Sequence, residues 1–540
     1  MKYVSVAQMQ AIERQADAGG LSYAQMMENA GRGLAEVILE EYGYLEEDGA
    51  LGLVGSGNNG GDTLVALDYL AKEGWRAAAA IVRPRIADDP LVARLLASGG
   101  QVIDLSQCAD PNRLLALLDE HALLLDGVLG TGTRLPLKPE LAELLDAIHR
   151  HLLEMANPPV VVAVDCPSGV DCDSGAAAPE CLPAELTVTM AAVKHGLFKF
   201  PAFSLVGDLQ VVGIGLPQDG VALEAWRAVN SFIPDEDWVR QVLPARPLDA
   251  HKGTFGTALV VAGSANYTGA AWLAGQAAYR IGAGLVTLAV PAPLHAALAG
   301  QFPEATWLLL PHKNGAIAAD ASQTVLENLG RATAILVGPG FGLAQTSADF
   351  LAGLLLGSIE HQHAERKSAK AQALPPPSEL PPVIIDADGL KLLANTEDWA
   401  QRLPAPAVLT PHPGEMAVLT GLSLQAIQAE RLEVALRYSH EWGHVVVLKG
   451  AFTLVAAPDG RLAVIPVATP ALARAGTGDV LAGLITGLRA QGVEAFQAAV
   501  VGAWVHAYAG LQAAADLGNT ASVLAGDVLR AVITVMERLG

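Results

Sequence analysis

A chain of 540 residues with 51% hydrophobic and 17% charged residues is too apolar to be disordered. It is also too long for one core, because single cores stop growing near roughly 250–300 residues. A formal net charge of -22 excludes a general binder of nucleic acid or of anionic membrane, so an anionic ligand must be held by helix N-termini and backbone amides.

The first forty residues predict two helices. Met9, Ile12 and Ala16, then Met26, Met27, Ala30, Leu34, Val37 and Ile38, recur at helical spacing. The leading segment carries charges throughout and has no apolar run, so no secretory leader is expected. No stretch approaches about 18 uninterrupted apolar residues, so no membrane span is expected and the location is read as cytoplasmic. Cys108, Cys166, Cys172 and Cys181 form no CxxC pair, which argues against zinc or a disulfide framework and for a reducing compartment.

From there a cycle repeats: a short apolar run, a Gly-rich turn, an amphipathic helix. The runs are Leu51–Val54, Ala78–Val82, Leu123–Asp126, Val160–Asp165 and Thr187–Ala191, then Thr257–Ala262, Leu285–Val290, Ala334–Val337, Val383–Asp386, Ala407–Thr410 and Val445–Lys449. Continuous apolar strands alternating with helices predict parallel sheets covered on both faces, hence two three-layer α/β domains. The expected division is a domain over 1–225, a linker rich in Pro and charge over 226–248, and a second domain over 249–540 interrupted by a flexible insertion at 357–382.

In the first half, Asn58, Asn59, Gly60, Gly61 and Asp62 lie where a strand ends and a helix begins. Backbone amides there can approach a ligand and the helix N-terminus favours phosphate, although an ordinary βα turn uses the same glycines. The spacing is neither GxGxxG nor a P-loop. Asp126 and Asp165 also end strands, and ligands of open parallel sheets sit outside the strands' carboxyl ends. Three turns thus bring Asn59, Asp126, Asp165 and Ser168 to one crevice, although a lone Asp at a strand end also serves as a helix cap. Oxygen donors of this kind suit a hard cation and do not suit zinc. In the second half, Gly476, Thr477 and Gly478 lead into a helix whose first turn holds Asp479. Amides and helix dipole make an anion pocket, and the carboxylate can accept a proton from a hydroxyl that attacks phosphorus.

The ordered motifs MENAGRGLAE, GSGNNGGD, DGVLGTG and AVDCPSGVD, spanning nearly all of 1–230, resemble the NAD(P)H-hydrate epimerase family. The resemblance implies a Rossmann-like domain in which Asn58–Asp62 (Asn58, Asn59, Gly60, Gly61, Asp62) and the loop Gly130, Thr131, Gly132, Thr133, Arg134, Leu135 and Pro136 bind the hydrated dinucleotide. It further implies potassium held by Asn59, Asp126 and Ser168, and proton transfer by Asp165. Two positions depart from the pattern: Thr63 stands where Gly is usual, and Cys166 where an aliphatic residue is usual.

Over 250–540, HKGTFG, GAGLVTLAVP, VGPGFG, DADGL, LTPHPGEMAVLTG, VVLKGAFT and AGTGD resemble the ADP- or ATP-dependent NAD(P)H-hydrate dehydratases, which have a ribokinase-like fold. By that resemblance Lys449, Gly450, Ala451, Phe452, Thr453 and Gly478 hold the adenine nucleotide. Ala270, Gly340, Gly342 and His412 line the hydrate site, and Asp479 is the catalytic base. Thr469 and Arg474 depart from the pattern. Magnesium is implied with the nucleotide, though no carboxylate pair for it can be read off. Together the halves imply a bifunctional repair enzyme. It would epimerise R- and S-NAD(P)HX and dehydrate the S form to NAD(P)H, spending ADP (leaving AMP and phosphate) or ATP, and it would assemble as a homo-oligomer. The alternative is a ribokinase-like small-molecule kinase fused to a dinucleotide-binding sensor.

Overall fold

The structure, a computed structural model, describes residues 1–106, 111–216, 224–357 and 380–540. Cys108 and residues 358–379 of the expected insertion lie outside the described residues. The chain forms two compact units, Met1–Ser231 and Phe232–Gly540.

In the first unit, seven parallel strands form one sheet. Their order is Gln101–Asp104, Ala77–Ile81, Ala50–Val54, Leu123–Gly127, Val160–Val164, Leu186–Met190 and Asp208–Val212. Both faces are covered, which explains the continuous apolar runs. Ala50, Val54, Ala79 and Leu125 pack under the helices Val6–Ala18, Tyr23–Tyr42 and Asn58–Lys72, while Leu51, Leu53, Ala80 and Leu124 meet Leu114, Leu145 and Ile148 on the other face. The chain starts at Ala50–Val54 and builds outward to one side, then returns to Leu123–Gly127 and builds to the other. The switch in direction therefore lies between these two strands, where such sheets open a crevice at their carboxyl ends. The NNGGD and GTG turns follow those two strands.

The second unit repeats the device. Its sheet runs Leu462–Val464, Leu454–Ala456, Val445–Leu448, Val408–Leu409, Val383–Ile385, Ala334–Val337, Thr257–Val261, Leu285–Pro291 and Thr306–Leu310, with the short strand Ser231–Phe232 at its first edge. Strands from Val445 to Leu310 are parallel, and the two hairpin strands at the edge are antiparallel. Here the switch falls between Thr257–Val261 and Ala334–Val337. Helices Gly269–Arg280, Thr477–Ala490, Ala495–Leu517 and Ala525–Leu539 cover one face, and Gln345–Leu355 and Asp388–Leu393 the other.

Part of the segment read as a linker is folded. Helix Glu236–Val242 buries Val239 in the second unit's core, and the Arg240 guanidinium donates to the Leu539 carbonyl at 3.2 Å. No helix among the described residues is long and apolar enough to cross a membrane.

Candidate active sites

In the first unit, the helix Asn58–Lys72 begins at the sheet's switch point. Asn59 Nδ2 donates to the carbonyls of Leu129 (3.0 Å) and Val164 (2.5 Å), tying the NNGGD turn to the two neighbouring strand ends. Asp126 is fully buried and accepts from Ser168 N (2.8 Å) and Ser168 Oγ (2.5 Å), while Ser168 Oγ also accepts from Leu129 N at 2.8 Å. Burial raises the Asp126 carboxyl above its ordinary value, with the Ser168 hydrogen bonds opposing that rise. Thr63 does not crowd the ligand side of the loop. It is fully buried, its hydroxyl donates to Asn59 O at 2.7 Å, and it fills space left by Gly52 and Gly127, where an added Cβ would meet it within 2.7 Å and 1.9 Å.

Asp165 follows its strand in the left-handed backbone region, at φ +66. Its Oδ1 accepts from Thr189 Oγ1 and Met190 N, both at 3.0 Å, and forms an ion pair with Lys194. Lys194 is 1% exposed, and its ammonium also donates to Thr189 Oγ1 and the Met190 carbonyl, both at 2.9 Å. A cavity of about 100 Å³ brings Asn58, Asn59, Asp62, Thr131 and Asp165 together with Glu13 and Lys194. Gly60 and Gly61 belong to the same helical turn, and Gly130 packs against the Asn59 amide. Thr133 folds back to donate to Gly130 O at 2.8 Å. Gly132, Arg134, Leu135 and Pro136 are not among the cavity's lining residues. Sequence reasoning missed Glu13 and Lys194. The available signal was a lone lysine inside the apolar run TVTMAAVKHG.

In the second unit, a cavity of about 470 Å³ is lined by Lys449, Gly450, Ala451, Thr453 and Gly478, and also by His412. Phe452 is not brought to it: the side chain is buried and its N–H donates to Val467 O at 3.0 Å. The Arg431 guanidinium holds the loop from behind, donating to the carbonyls of Ala451 (2.7 Å) and Leu448 (3.1 Å). Thr469, Arg474 and His506 line the same cavity, and burial pushes the His506 imidazole down to about 4.

Lys449 is the hub of a polar cluster. It pairs with Asp386 at 2.6 Å and approaches Glu415 at 3.7 Å, and Thr410 Oγ1 donates to Asp386 at 2.7 Å. Burial alone would lower the Lys449 ammonium, but Asp386 and Glu415 outweigh it and hold it above its ordinary value. A side chain at Gly478 would meet Lys449 Nζ at 3.5 Å, so the GTGD turn lies against this pair. Asp479 has no hydrogen bond or ion pair among the described residues. Burial, then the charge of Asp386, pushes its carboxyl up to about 7.

His412 is half exposed and caps its helix, its Nδ1 accepting from Gly414 N (3.0 Å) and Glu415 N (3.2 Å). Burial, against the pull of Glu415, lowers its imidazole. Gly340 packs against Ala270, and Gly342 N donates to Asp388 Oδ2 at 2.9 Å. Ala270, Gly340 and Gly342 sit at the switch point, outside the set lining the large cavity, whereas His412 lines it. Sequence reasoning quoted DADGL and TPHPGEM without giving Asp386, Asp388 or Glu415 a part. Their convergence follows only from adjacent strands Val383–Ile385 and Val408–Leu409.

Both halves match known families. Residues 258–533 match the family described as NAD(P)H-hydrate dehydratase, and residues 23–196 the one described as YjeF-related protein N-terminus. The bifunctional NAD(P)H-hydrate repair enzyme of Moorella thermoacetica is 36% identical over 95% of this chain and 92% of its own. The chain belongs to the bifunctional NAD(P)H-hydrate repair enzymes. The family's enzyme from Salinibacter ruber is 35% identical over 96% of this chain and 93% of its own. A solved ADP/ATP-dependent NAD(P)H-hydrate dehydratase of Bacillus subtilis, co-crystallised with ATP and magnesium, aligns with 28% identity and a TM-score of 0.47, covering 58% of this chain and all of that one. A kinase fused to a sensor leaves the full-length likeness to repair enzymes unexplained.

Proposed function

We propose that the first unit interconverts R- and S-NAD(P)HX and that the second dehydrates the S form, spending ADP (with release of AMP and phosphate) or ATP. The observation that carries the second assignment is Asp479: a carboxyl without partners, pushed up to about 7, directly after a Gly-rich turn and beside a buried lysine. A base acts best when its pKa lies near the working pH. Asp479 takes the proton from the hydrate's hydroxyl as that oxygen accepts a phosphoryl group. Hydroxide is thereby converted to phosphate, which the ring nitrogen can expel. Amides of the GTGD turn and Lys449 neutralise the transferred group. Lys449, Gly450, Ala451, Thr453 and Gly478 bind the nucleotide, with Phe452 buried behind their loop, and Ala270, Gly340, Gly342 and His412 face the hydrate.

Magnesium fits this site through the oxygens of Asp386 and Glu415, since it is held by one or two carboxylates together with substrate phosphates. When bound, it neutralises phosphate charge. In the first unit, Asn58–Asp62 and the loop 130–136 bind the hydrate and Asp165 moves a proton. Potassium fits beside the Leu129–Gly130 turn. With the Asn59 amide turned over, Asn59 Oδ1, Asp126, Ser168 Oγ and the Leu129 and Val164 carbonyls form an all-oxygen set suited to a hard cation. When bound, it supplies a fixed positive charge there. We assign the enzyme to the cytoplasm, in keeping with three buried free thiols among the described residues, and, from the family resemblance alone, to a homo-oligomer.

Asp479→Ala tests the reading. Nucleotide-dependent dehydration falls by about 10²–10⁴-fold, the usual worth of a general base, while epimer interconversion without nucleotide persists. Undiminished dehydration would remove Asp479 from its role.

A further inference from the structure

Three carboxyls and one lysine border the first unit's cavity: Glu13, Asp62, Asp165 and Lys194, with Tyr23 as the remaining titratable group. The three acids are not equivalent. Asp165 is fixed as an acceptor by the Lys194 ammonium, the Thr189 hydroxyl and the Met190 amide. Asp62 is 6% exposed, lines the cavity and has no hydrogen bond or ion pair among the described residues. A buried carboxyl without a donor is costly as an anion, and a neutral one can donate. Its surroundings agree: burial, then the negative charges of Asp165 and Glu13, raise the Asp62 carboxyl well above its ordinary value, and Lys194 only partly opposes them. Glu13 is raised as well, by burial, with Lys194 opposing.

Resting on the epimerase reading, we propose that Asp62 is the general acid of epimerisation and that the Asp165–Lys194 pair is its base. The Asp62 carboxyl gives its proton to the hydroxyl on the hydrated ring carbon. The carbon–oxygen bond breaks, water leaves, and the ring nitrogen's lone pair forms a carbon–nitrogen double bond. Water then adds to the other face of that carbon, the electron pair returns to nitrogen, and the Asp165 carboxylate takes the proton that the added water loses. The substrate is inverted with no net gain or loss of atoms. One proton has moved from Asp62 to Asp165, and exchange with water restores both carboxyls. Lys194 does not touch the substrate in this scheme. It is a positioning residue that holds the Asp165 carboxyl oxygen in place until the water arrives. A carboxyl without donors beside one that accepts from three matches the general pattern of acid–base pairs.

The test uses the full chain without nucleotide, following R and S forms separately by chromatography. Asp62→Asn keeps the size of the group but cannot give up a proton. The expected result is a fall in kcat of about 10²-fold or more with KM little changed, and loss of the decline in rate that the unmodified chain shows on the alkaline side. Asp62→Glu restores part of kcat. If Asp62→Asn keeps kcat within about threefold, or acts only by raising KM, Asp62 is a binding residue and the proposal is overturned. If the unmodified chain fails to interconvert the epimers, the epimerase reading itself falls.

Discussion

The two units place a partnerless carboxyl in the same position by different routes. In the first, Asp62 lies near the start of the helix that follows GSGNNGG, and Lys194 clamps a second carboxyl, Asp165. In the second, Asp479 lies in the first turn after AGTG, and Lys449 clamps Asp386. Each lysine is satisfied by its clamped partner, so the carboxyl on the helix stays unpaired and its pKa rises. The outcome differs in degree. Asp62 is almost fully enclosed and is held well above its ordinary value, as suits a donor. Asp479 is only partly buried, directly after the cavity-lining Gly478, and is pushed only to about 7, as suits a group that must give up its proton before it can act. Depth of burial, more than residue type, separates an acid from a base here.

The strongest way to break this comparison is at the clamped carboxyl. Asp165→Ala removes the base of the first unit, so epimerisation falls by about 10²–10⁴-fold while dehydration of pure S hydrate is unchanged. Retained epimerisation would reject the assignment. Removing Lys194 strands Asp165 in the interior. Lys194→Met is expected to destabilise the first unit by about 3–5 kcal/mol, read as a lower denaturant midpoint, because breaking a buried pair leaves an uncompensated charge. An unchanged midpoint would mean that water reaches Asp165.

The pH profiles sharpen the contrast. Asp479 serves as a base only when ionised. With its value near 7, dehydration is low below pH 6 and rises as pH passes through about 7, the opposite sense to the alkaline decline expected for a donor such as Asp62. A dehydration rate that is flat from pH 5.5 to 8.5 would contradict this. Exchange of potassium for sodium should slow epimerisation and leave the second unit's binding step alone, and no change after thorough potassium removal would argue against the cation site. The smallest effect is expected at Thr63. Thr63→Gly loses one hydrogen bond and opens a small void beside Gly52 and Gly127, worth about 1–2 kcal/mol of stability, with epimerisation retained.

Much of this was legible in the sequence because buried parallel strands announce themselves as unbroken apolar runs. Ala50–Val54, Leu123–Gly127 and Ala334–Val337 are examples. Gln101–Asp104 and Thr306–Leu310 escaped because they are edge strands with exposed positions, and Leu454–Ala456 and Leu462–Val464 because each is only three residues long. Asn59, Asp62, Asp165 and Gly478 were found because they follow strands or Gly-rich turns. Lys194, Asp386 and Glu415 were not, because what matters about them is which carboxylate or lysine faces them. That is fixed by sheet order, which spacing along the chain does not reveal. Thr63, conversely, departs from the motif's usual Gly, and the sequence does not reveal the two sheet glycines, Gly52 and Gly127, that make room for it.

The most direct measurement is recovery of the reduced-nicotinamide absorbance from a mixture of both hydrate epimers, with the full chain, magnesium and ADP, then with ATP. The account predicts recovery of nearly all the absorbance, because the first unit feeds the second. Recovery that stops at the fraction initially present as the S form would contradict a working epimerase, and no recovery with either nucleotide would contradict the repair function as a whole.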